Sequence, residues 1–359
     1  MFHSQKTVFV GVSGGVDSSV ALSLLLNQGY DVVGVFIRTW QPDWIECTWR
    51  EERKDAMRVC AHLKVPFLDL DLEREYKEGV VDYMIQEYRE GRTPNPDVMC
   101  NKEIKFGAFL SWARSRGADF IATGHYVRAE QKNGQTKLLR GIDDNKDQSY
   151  FLWTLGQEEL QYCLFPIGNY KKENIRSLAA SLDLPTAEKK DSQGICFMGE
   201  IDMKEFLSHY IPQKNGDVLN DEEEVIGTHR GVLFYTLGER HGFDISPEHK
   251  KTNESPYYVV GKDLKKNTLH VSHNPLALGF SRKIFQLGEV VDNQTLFSAG
   301  SHYEGQIRYR SKTIPFKILS YSDNDKKMEI EFEEEIVVAL GQSVVIYRGD
   351  ECLGGGIVQ

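Results

Sequence analysis

The segment VFVGVSGGVDSS (residues 8–19) combines an apolar strand, a glycine and serine turn and the start of a helix. The first amides of a helix have no partners within it and lie at the positive end of its dipole, so they attract phosphate. Gly14 and Gly15 have no Cβ that would hold a phosphate away from the backbone, and Ser18 and Ser19 supply hydroxyl donors. The turn lacks the Gly-Lys-Ser/Thr ending of a Walker loop. It predicts a nucleotide-binding turn, and the alternative is a helix cap without a ligand.

Cys100 follows a segment rich in proline and asparagine, residues 91–99. The two prolines predict a rigid, non-helical approach, with Cys100 immediately before a helix. A helix N-terminus and the nearby Lys102 both favour thiolate and lower the thiol pKa from about 8.5. A buried structural cysteine is the alternative. The polar, loop-like surroundings favour a reactive thiol.

Cys196 has similar neighbours, with Gly194 before it and Lys189 and Lys190 on the same predicted loop. Glycine permits close approach by a large partner, and the lysines favour an anionic sulfur. The cysteine by itself leaves a reactive and a structural role equally open. Together, two loop cysteines with basic neighbours suggest a pair that exchanges sulfur or forms a transient disulfide. The remaining cysteines are predicted to be structural: Cys47, Cys60, Cys163 and Cys352.

The histidines show no Cys/His ligand spacing, so we expect no zinc site and no metal held by the protein itself. Mg²⁺, bound through nucleotide phosphates and Asp17, is the expected metal. His125 directly follows a predicted strand end at Thr123 and Gly124, which makes it a candidate for a ligand contact. A histidine satisfied by nearby backbone is equally compatible with the sequence.

The elements that must position these residues alternate between strands and helices. Short apolar strands are predicted at 7–12, 31–37, 66–71 and 118–123, and helices lie near 17–29, 51–64, 73–90 and 103–116. This order predicts an α/β fold with a doubly wound parallel sheet covered by helices on both faces. Ligands bind at the carboxyl ends of such strands, so the glycine turn and His125 should face one crevice. The segment 126–140 is predicted to form a hairpin around Asn133 and Gly134.

The second half of the chain changes character. Beyond residue 212 short alternating strands separated by turns replace the helical pattern, and residues 283–358 contain about six strands that should close as a small barrel. We therefore expect three domains. These are a nucleotide-binding and catalytic domain (1–211), a small mixed central domain (212–279) and a C-terminal β-barrel (280–359).

The bulk composition sets wider bounds. The 359 residues are 40% hydrophobic and 27% charged, an ordinary globular composition. The chain shows no signal peptide and no apolar stretch of bilayer length, so we expect a cytoplasmic protein without a membrane partner. The net charge of −10 argues mildly against nucleic acid, although acidic runs such as 221–224 can lie away from a binding face.

Several motifs resemble known enzymes. SGGVDS resembles the loop of ATP pyrophosphatases, which cleave ATP between its α- and β-phosphates. Further motifs spread over the whole chain resemble the tRNA-specific 2-thiouridylase family: GRTPNPDVMCNKEIKF (91–106), ATGHYVR (122–128), LLRGIDDNKDQSYFL (138–152), KKDSQGICFMGE (189–200), RYRS (308–311) and LGGGI (353–357). The segments around Cys100 and Cys196 are highly specific to that family.

The resemblance implies an ATP-dependent tRNA sulfurtransferase. ATP would adenylate the C2 oxygen of the wobble uridine, and a persulfide sulfur would replace that oxygen, leaving 2-thiouridine, AMP and pyrophosphate. Cys196 is implied as the persulfide carrier, loaded by a sulfur donor protein. Cys100 is implied as the nucleophile that ends in a Cys100–Cys196 disulfide, and Asp97 as the acid/base.

The resemblance also implies the binding residues. The implied ATP contacts are Gly11, Val12, Ser13, Gly14, Gly15, Val16, Asp17, Ser18, Ile37 and Gly124. The implied tRNA contacts are Asn95, Pro96 and Asp97 at the target base, with His125, Lys146, Asp147, Gln148, Arg308, Tyr309 and Gln342 elsewhere. Two other hypotheses stay open: a pyrophosphatase-type enzyme that activates a small carboxylate or amide, and a non-catalytic ATP sensor.

Overall fold

The computed structural model describes residues 5–45, 49–191, 201–249, 255–276, 281–293 and 296–359. In the N-terminal part the strands are β1 (Thr7–Gly11), β2 (Asp31–Arg38), β3 (Phe67–Asp71), β4 (Phe120–Ala122), β5 (Val127–Lys132), β6 (Gln135–Arg140) and β7 (Cys163–Leu164). The helices are α1 (Val16–Asn27), α2 (Trp49–Leu63), α3 (Glu73–Tyr76), α4 (Tyr83–Arg89), α5 (Pro96–Met99), α6 (Phe109–Ser115), α7 (Gln157–Leu160), α8 (Lys172–Ser181) and α9 (Met203–Ser208). Two π-helical stretches, Lys77–Asp82 and Cys100–Ala108, join α3 to α4 and α5 to α6, and 3₁₀ turns lie at Ser149–Phe151, Val232–Phe234 and Pro247–His249.

A parallel sheet forms the centre of the N-terminal part. Its strand order is β3-β2-β1-β4-β7, and every pair in it is parallel. Phe9 of β1 packs into a core on one face, and Val8 and Val10 pack into another core on the opposite face. Burial on both faces explains why the strands read as continuous apolar runs. The predicted doubly wound α/β fold is confirmed, with β7 as a short fifth strand that the sequence pattern does not indicate.

The helix that carries Cys100 begins earlier than its sequence pattern indicates. Asn95 caps α5, because its Oδ1 accepts from the backbone amides of Asp97 (3.2 Å) and Val98 (3.3 Å), and Pro96 takes the first helical position. The helix then continues through the π-helical stretch into α6. The prediction that Cys100 lies on a polar loop before a helix is therefore wrong.

The central domain is a mixed sheet. Its strands are β8 (Gly216–Leu219), β9 (Val225–His229), β10 (Asp244–Ile245), β11 (Tyr258–Asp263) and β12 (Thr268–Ser272). They lie in the order β10-β9-β8-β12-β11, with β12 and β8 parallel and the other pairs antiparallel.

The C-terminal strands close into a barrel. They are β13 (Arg282–Asp292), β14 (His302–Gln306), β15 (Ile314–Ser322), β16 (Lys327–Ile336), β17 (Ser343–Arg348) and β18 (Glu351–Val358). The first and last strands pair antiparallel, with Leu287 opposite Val358, so the barrel leaves neither as an open edge. Its interior contains apolar side chains from several strands, among them Phe316, Phe332 and Ile346. The predicted small barrel is confirmed.

The barrel shares contacts with the N-terminal part. The hairpin of β5 and β6 turns at Asn133 and Gly134, both with positive φ, and β6 pairs with β18. The Trp153 indole donates to Ser343 Oγ at 3.1 Å. The Tyr150 hydroxyl donates to the Ser343 carbonyl at 3.2 Å. Both aromatic side chains are fully buried, so the two parts of the chain pack as one body.

Candidate active site

The glycine turn joins β1 to α1 as the sequence predicts. Gly14 adopts a φ of +70°, a conformation that side chains disfavour. Gly15 is the N-cap of α1 and provides no side-chain acceptor to the first turn. Ser18 Oγ accepts from the Ser13 amide at 3.2 Å, and Ser19 Oγ donates to the Gly15 carbonyl at 2.7 Å. These bonds hold the turn in shape around the positive end of α1, which suits it to an anion.

The other predicted ATP contacts lie near this turn. A Cβ on Gly124 would lie 2.7 Å from the Ser18 amide nitrogen, so the end of β4 packs directly on the first turn of α1. Ile37 is buried near the carboxyl end of β2, the strand next to β1. The fold thus brings residues from three strands to the same edge of the sheet. Their contact with ATP stays a prediction.

Asp17, in the first turn of α1, is held by two donors that sequence reasoning missed. The Tyr126 hydroxyl donates to Asp17 Oδ1 at 2.7 Å. Lys172 Nζ donates to both carboxylate oxygens, at 2.8 and 2.9 Å. Burial raises the pKa of the Tyr126 hydroxyl, and the charge of Asp17 raises it further. One feature of the sequence could have indicated Lys172. Lys171 and Lys172 stand at the start of α8, where a positive charge is unfavourable because it opposes the helix dipole.

Asp191 extends this arrangement into a charged cluster. Lys172, Lys146 and Arg176 place nitrogens 2.8, 2.8 and 2.6 Å from its carboxylate. Partial burial alone would raise the pKa of Asp191, but hydrogen bonds from Lys146 and Lys172 lower it well below its ordinary value. Three cations therefore meet at Asp191, and Lys172 links this cluster to Asp17 in the first turn of α1. An amine in that position can pair with an anionic ligand at the glycine turn.

Asp97 and Cys100 lie three residues apart on the helix that Asn95 caps, so their side chains are neighbours on its surface. Cys100 is fully buried, and Asp97 is half-buried. Asn101 donates from Nδ2 to the carbonyl oxygens of Asp97 (3.0 Å) and Phe151 (3.4 Å). π-Helical turns such as the one that begins at Cys100 recur at functional sites. Cys196, the predicted partner of Cys100, lies outside the described residues.

Lys102, the lysine expected to favour a Cys100 thiolate, also lies between two carboxylates. Its amine lies 3.5 Å from carboxylate oxygens of both Glu103 and Glu289, the latter on β13 of the barrel. The pair with Glu289 joins the helix to the barrel, and the effect of Lys102 on the Cys100 thiol stays a prediction.

The cysteines predicted to be structural are buried where the structure describes them. Burial raises the pKa of Cys60 to about 11 and that of Cys352 to about 12. Burial also raises the pKa of Cys163. A raised pKa keeps each group a thiol, which suits a packing role. Cys47 lies outside the described residues.

Two distant segments with predicted tRNA contacts meet in space. Arg310 Nη2 donates to the Asn145 carbonyl at 2.7 Å, and the Tyr309 and Phe151 ring centroids are 4.5 Å apart. Arg308 is exposed and donates to the Leu237 carbonyl of the central domain at 3.1 Å. Exposed guanidinium groups beside half-buried aromatic rings form a surface suited to a nucleic acid backbone and bases.

Other predicted tRNA contacts have partners within the protein. Asp147 is buried and accepts from Arg140 and from the Gly141 amide, both at 3.0 Å. Gln148 Oε1 accepts from the Tyr126 amide at 2.9 Å. These bonds assign both side chains a part in holding the 141–149 loop, and their contact with tRNA stays a prediction.

His125 and Gln342 are likewise engaged internally. The His125 ring is buried against Phe106, its Nδ1 is hydrogen-bonded to Thr123 Oγ1 at 2.7 Å, and burial lowers its pKa well below the ordinary value. The ring is therefore neutral at physiological pH. Gln342 Nε2 donates to the Thr93 carbonyl at 2.6 Å.

The described residues contain no group of three or more His, Cys, Asp or Glu side chains placed to hold a metal ion. Among the helices that the structure describes, none has the length and apolar character needed to span a membrane.

The fold and this edge of the sheet define a class: an ATP-pyrophosphatase-like α/β domain joined to a mixed sheet and a closed β-barrel. Family models match all three parts. A tRNA methyl transferase HUP domain matches residues 6–200, a tRNA methyl transferase PRC-barrel domain matches 204–273, and an aminomethyltransferase β-barrel domain matches 290–358.

Full-length relatives identify the particular family. The tRNA-specific 2-thiouridylase MnmA of Bacillus velezensis is 46% identical over 98% of this chain and 94% of its own. Those of Geobacillus thermodenitrificans and Shewanella oneidensis are 46% and 45% identical, each over 99% of this chain and at least 95% of their own. The chain therefore belongs to the tRNA-specific 2-thiouridylase MnmA family. A solved 4-thiouridine synthetase–RNA complex with bound ATP matches 58% of this chain and 50% of that chain at 18% identity, with a TM-score of only 0.35.

Proposed function

We propose that this protein catalyses the ATP-dependent 2-thiolation of the wobble uridine in tRNA. The observation that carries the proposal is the 46% identity to a tRNA-specific 2-thiouridylase over 98% of the chain. The glycine turn with Lys172 beside it, and the helix with Asp97 and Cys100, supply the groups that such a reaction needs.

The first half-reaction activates the uridine. ATP binds with its phosphates on the first turn of α1, beside Asp17 and Lys172. The uracil O2 then bonds to the α-phosphorus, and the bond to the β-phosphate oxygen breaks, so that its electron pair leaves with pyrophosphate. Lys172 and the amides of α1 offset the charge of that leaving group. Asp17 would be the protein carboxylate for a Mg²⁺ ion that accompanies ATP, and the ion would offset phosphate charge.

The second half-reaction transfers sulfur. The terminal sulfur of a Cys196 persulfide bonds to C2, and the C2–O bond to AMP breaks. Cys100 bonds to Cys196 Sγ as the persulfide S–S bond breaks, which leaves 2-thiouridine, AMP and a Cys100–Cys196 disulfide. Asp97, near Cys100 on the same helix, accepts the proton that is released. A thiol reductant restores both cysteines before the next turnover.

Two macromolecular partners follow from this reaction. tRNA would lie across the surface of Lys146, Arg308, Tyr309 and Arg310, with the target uridine at Asn95, Pro96 and Asp97. A sulfur donor protein would load Cys196. Both partners are found in the cytoplasm, where we place the protein.

The direct test is release of AMP and pyrophosphate by the purified protein with and without tRNA, combined with analysis of the tRNA nucleosides. Release that depends on tRNA, together with 2-thiouridine, supports the proposal. Release that depends instead on a small carboxylate or amide would contradict it, and so would ATP binding without any release.

A further inference from the structure

Thr93 lies where the three parts of the chain meet, two residues before Asn95. Its amide donates to the Leu340 carbonyl of the barrel at 2.8 Å, and its carbonyl accepts from Gln342 Nε2 at 2.6 Å. Its hydroxyl lies 3.0 Å from the Thr236 hydroxyl of the central domain. Thr93 is buried. Its amide and carbonyl groups are thus bonded to the barrel and its hydroxyl group to the central domain.

Gly91 is held from the central domain in a similar way. Lys262 Nζ donates to the carbonyl oxygens of Gly91 and Tyr235, both at 2.8 Å. Gly91 has a φ of +76°, and a Cβ there would lie 2.4 Å from Leu264 Cδ1. The Leu264 side chain, in the turn between β11 and β12, therefore packs against Gly91, whose positive φ is one that glycine adopts readily.

Residues 92–95 lie in neither a helix nor a strand. Arg92 anchors the segment to its own domain, since its amide and its Nε donate to Glu87. The bonds that Gly91 and Thr93 make to the central domain and the barrel hold it from the other side. The same segment ends in Asn95, which caps the helix of Asp97 and Cys100. A shift of the segment would move the helix start and the two side chains behind it.

We propose that Gln342 and Lys262 are positioning residues. They hold the start of the helix that carries Asp97 and Cys100 in the position that the reaction requires. The barrel and the central domain thereby act on the chemistry through residues 91–95, in addition to any contact with tRNA. The importance of Asp97 and Cys100 in this inference rests on the proposed function.

The test uses Gln342→Met, Gln342→Glu and Lys262→Met in the full-length protein. Two matched controls remove exposed residues of the same types: Gln286→Met on β13, and Lys266→Met beside β12. The first measurement is the rate at which iodoacetamide labels Cys100, followed by peptide mass spectrometry. Cys60, buried in a separate core, is the internal reference.

Release of the 91–95 segment should raise the labelling rate of Cys100 by about tenfold or more, because a buried thiol reacts only when its surroundings open. Cys60 labelling and both controls should match the unmodified protein. An unchanged Cys100 rate in folded Gln342 and Lys262 variants would overturn the inference. Thermal unfolding verifies that each variant is folded, and the two Gln342 variants remove the same donor with different side chains.

The second measurement separates positioning from tRNA contact. It uses Lys262→Met, because Gln342 is itself an implied tRNA contact. In Lys262→Met, positioning predicts a thiolation kcat that falls by about tenfold while the Kd for tRNA stays unchanged. A weakened Kd with unchanged kcat in this variant would contradict the proposal. If the unmodified protein releases no pyrophosphate with tRNA, the proposed function fails, whereas the labelling rates still test the positioning.

Discussion

Lys172 Nζ lies 2.8 Å from an oxygen of Asp17 and 2.8 Å from an oxygen of Asp191. It therefore joins the first turn of α1 to the residue that directly precedes the segment with Cys196. The side chain is only 13% exposed, so bulk water does little to screen its charge. A polyphosphate at the glycine turn would compete with both carboxylates for this amine.

The amine of Lys172 should be essential for ATP cleavage. Lys172→Ala removes the cation closest to Asp17, and tRNA-dependent pyrophosphate release should fall by about 100-fold because the leaving group loses its counter-charge. Lys171→Ala, which changes the exposed neighbour, is the control and should retain activity. Normal pyrophosphate release by folded Lys172→Ala would show that the cluster is purely structural.

The carboxylate of Asp17 should be needed for the same step. Asp17→Asn keeps the size of the side chain and a hydrogen-bond acceptor, but removes the charge that orients Lys172 and accompanies Mg²⁺. Pyrophosphate release should be lost while circular dichroism and thermal unfolding show a folded protein. Asp31→Asn is the control, because Asp31 lies at the start of β2 and therefore at the opposite edge of the sheet from the glycine turn. Full activity in Asp17→Asn would refute the assignment of the glycine turn.

The two cysteines should fail at different steps. Cys196→Ser should accept no labelled sulfur from a donor. Cys100→Ser should accept it yet form no 2-thiouridine, because an alcohol is a far poorer nucleophile than a thiolate at neutral pH. After turnover without reductant, peptide mass spectrometry should find a Cys100–Cys196 disulfide. The buried Cys163→Ala serves as the control, and thiolation by Cys100→Ser would disprove the mechanism.

Arg308 should bind tRNA through a phosphate. Arg308→Ala should weaken tRNA binding and reduce the slope of log K against log salt by about one, since one fewer counterion is released. Filter binding at several salt concentrations measures both quantities. Arg282→Ala, an exposed arginine at the start of β13, should change neither. An unaltered salt slope in Arg308→Ala would mean that Arg308 only bridges the barrel and the central domain.

Lys262 should leave a signature in the pH dependence of stability. Burial lowers the pKa of Lys262 from 10.5 to about 8, although the charge of Glu239 opposes that shift. Between these values the unfolded lysine is protonated and the folded one is neutral, so unfolding takes up a proton and the free energy of unfolding rises with pH. The buried thiols Cys60, Cys163 and Cys352, whose pKa values are raised, lower the free energy of unfolding over the same range in both proteins. Urea denaturation from pH 7.5 to 10 should therefore give a pH slope of that free energy that is more positive in the unmodified protein than in Lys262→Met. Equal pH slopes in the two proteins would rule out the lowered pKa.

The local patterns of the chain determined the parallel sheet, the glycine turn after β1 and the closed barrel. Each depends on short-range features: apolar runs, alternation along strands, and glycines that adopt positive φ. The family motifs likewise identify the segments around Asp97 and Cys100 directly from residue order.

Tertiary structure alone decided which polar groups meet. Lys172 binds Asp17 across 155 positions of sequence, and Gln342 binds Thr93 across 249. Short-range periodicity carries no information about such pairs, because any exposed lysine or glutamine satisfies the same local pattern. The burial of Cys100 was missed for a related reason: the Asn95 cap extends the helix back to Pro96, and packing against distant segments then encloses the thiol.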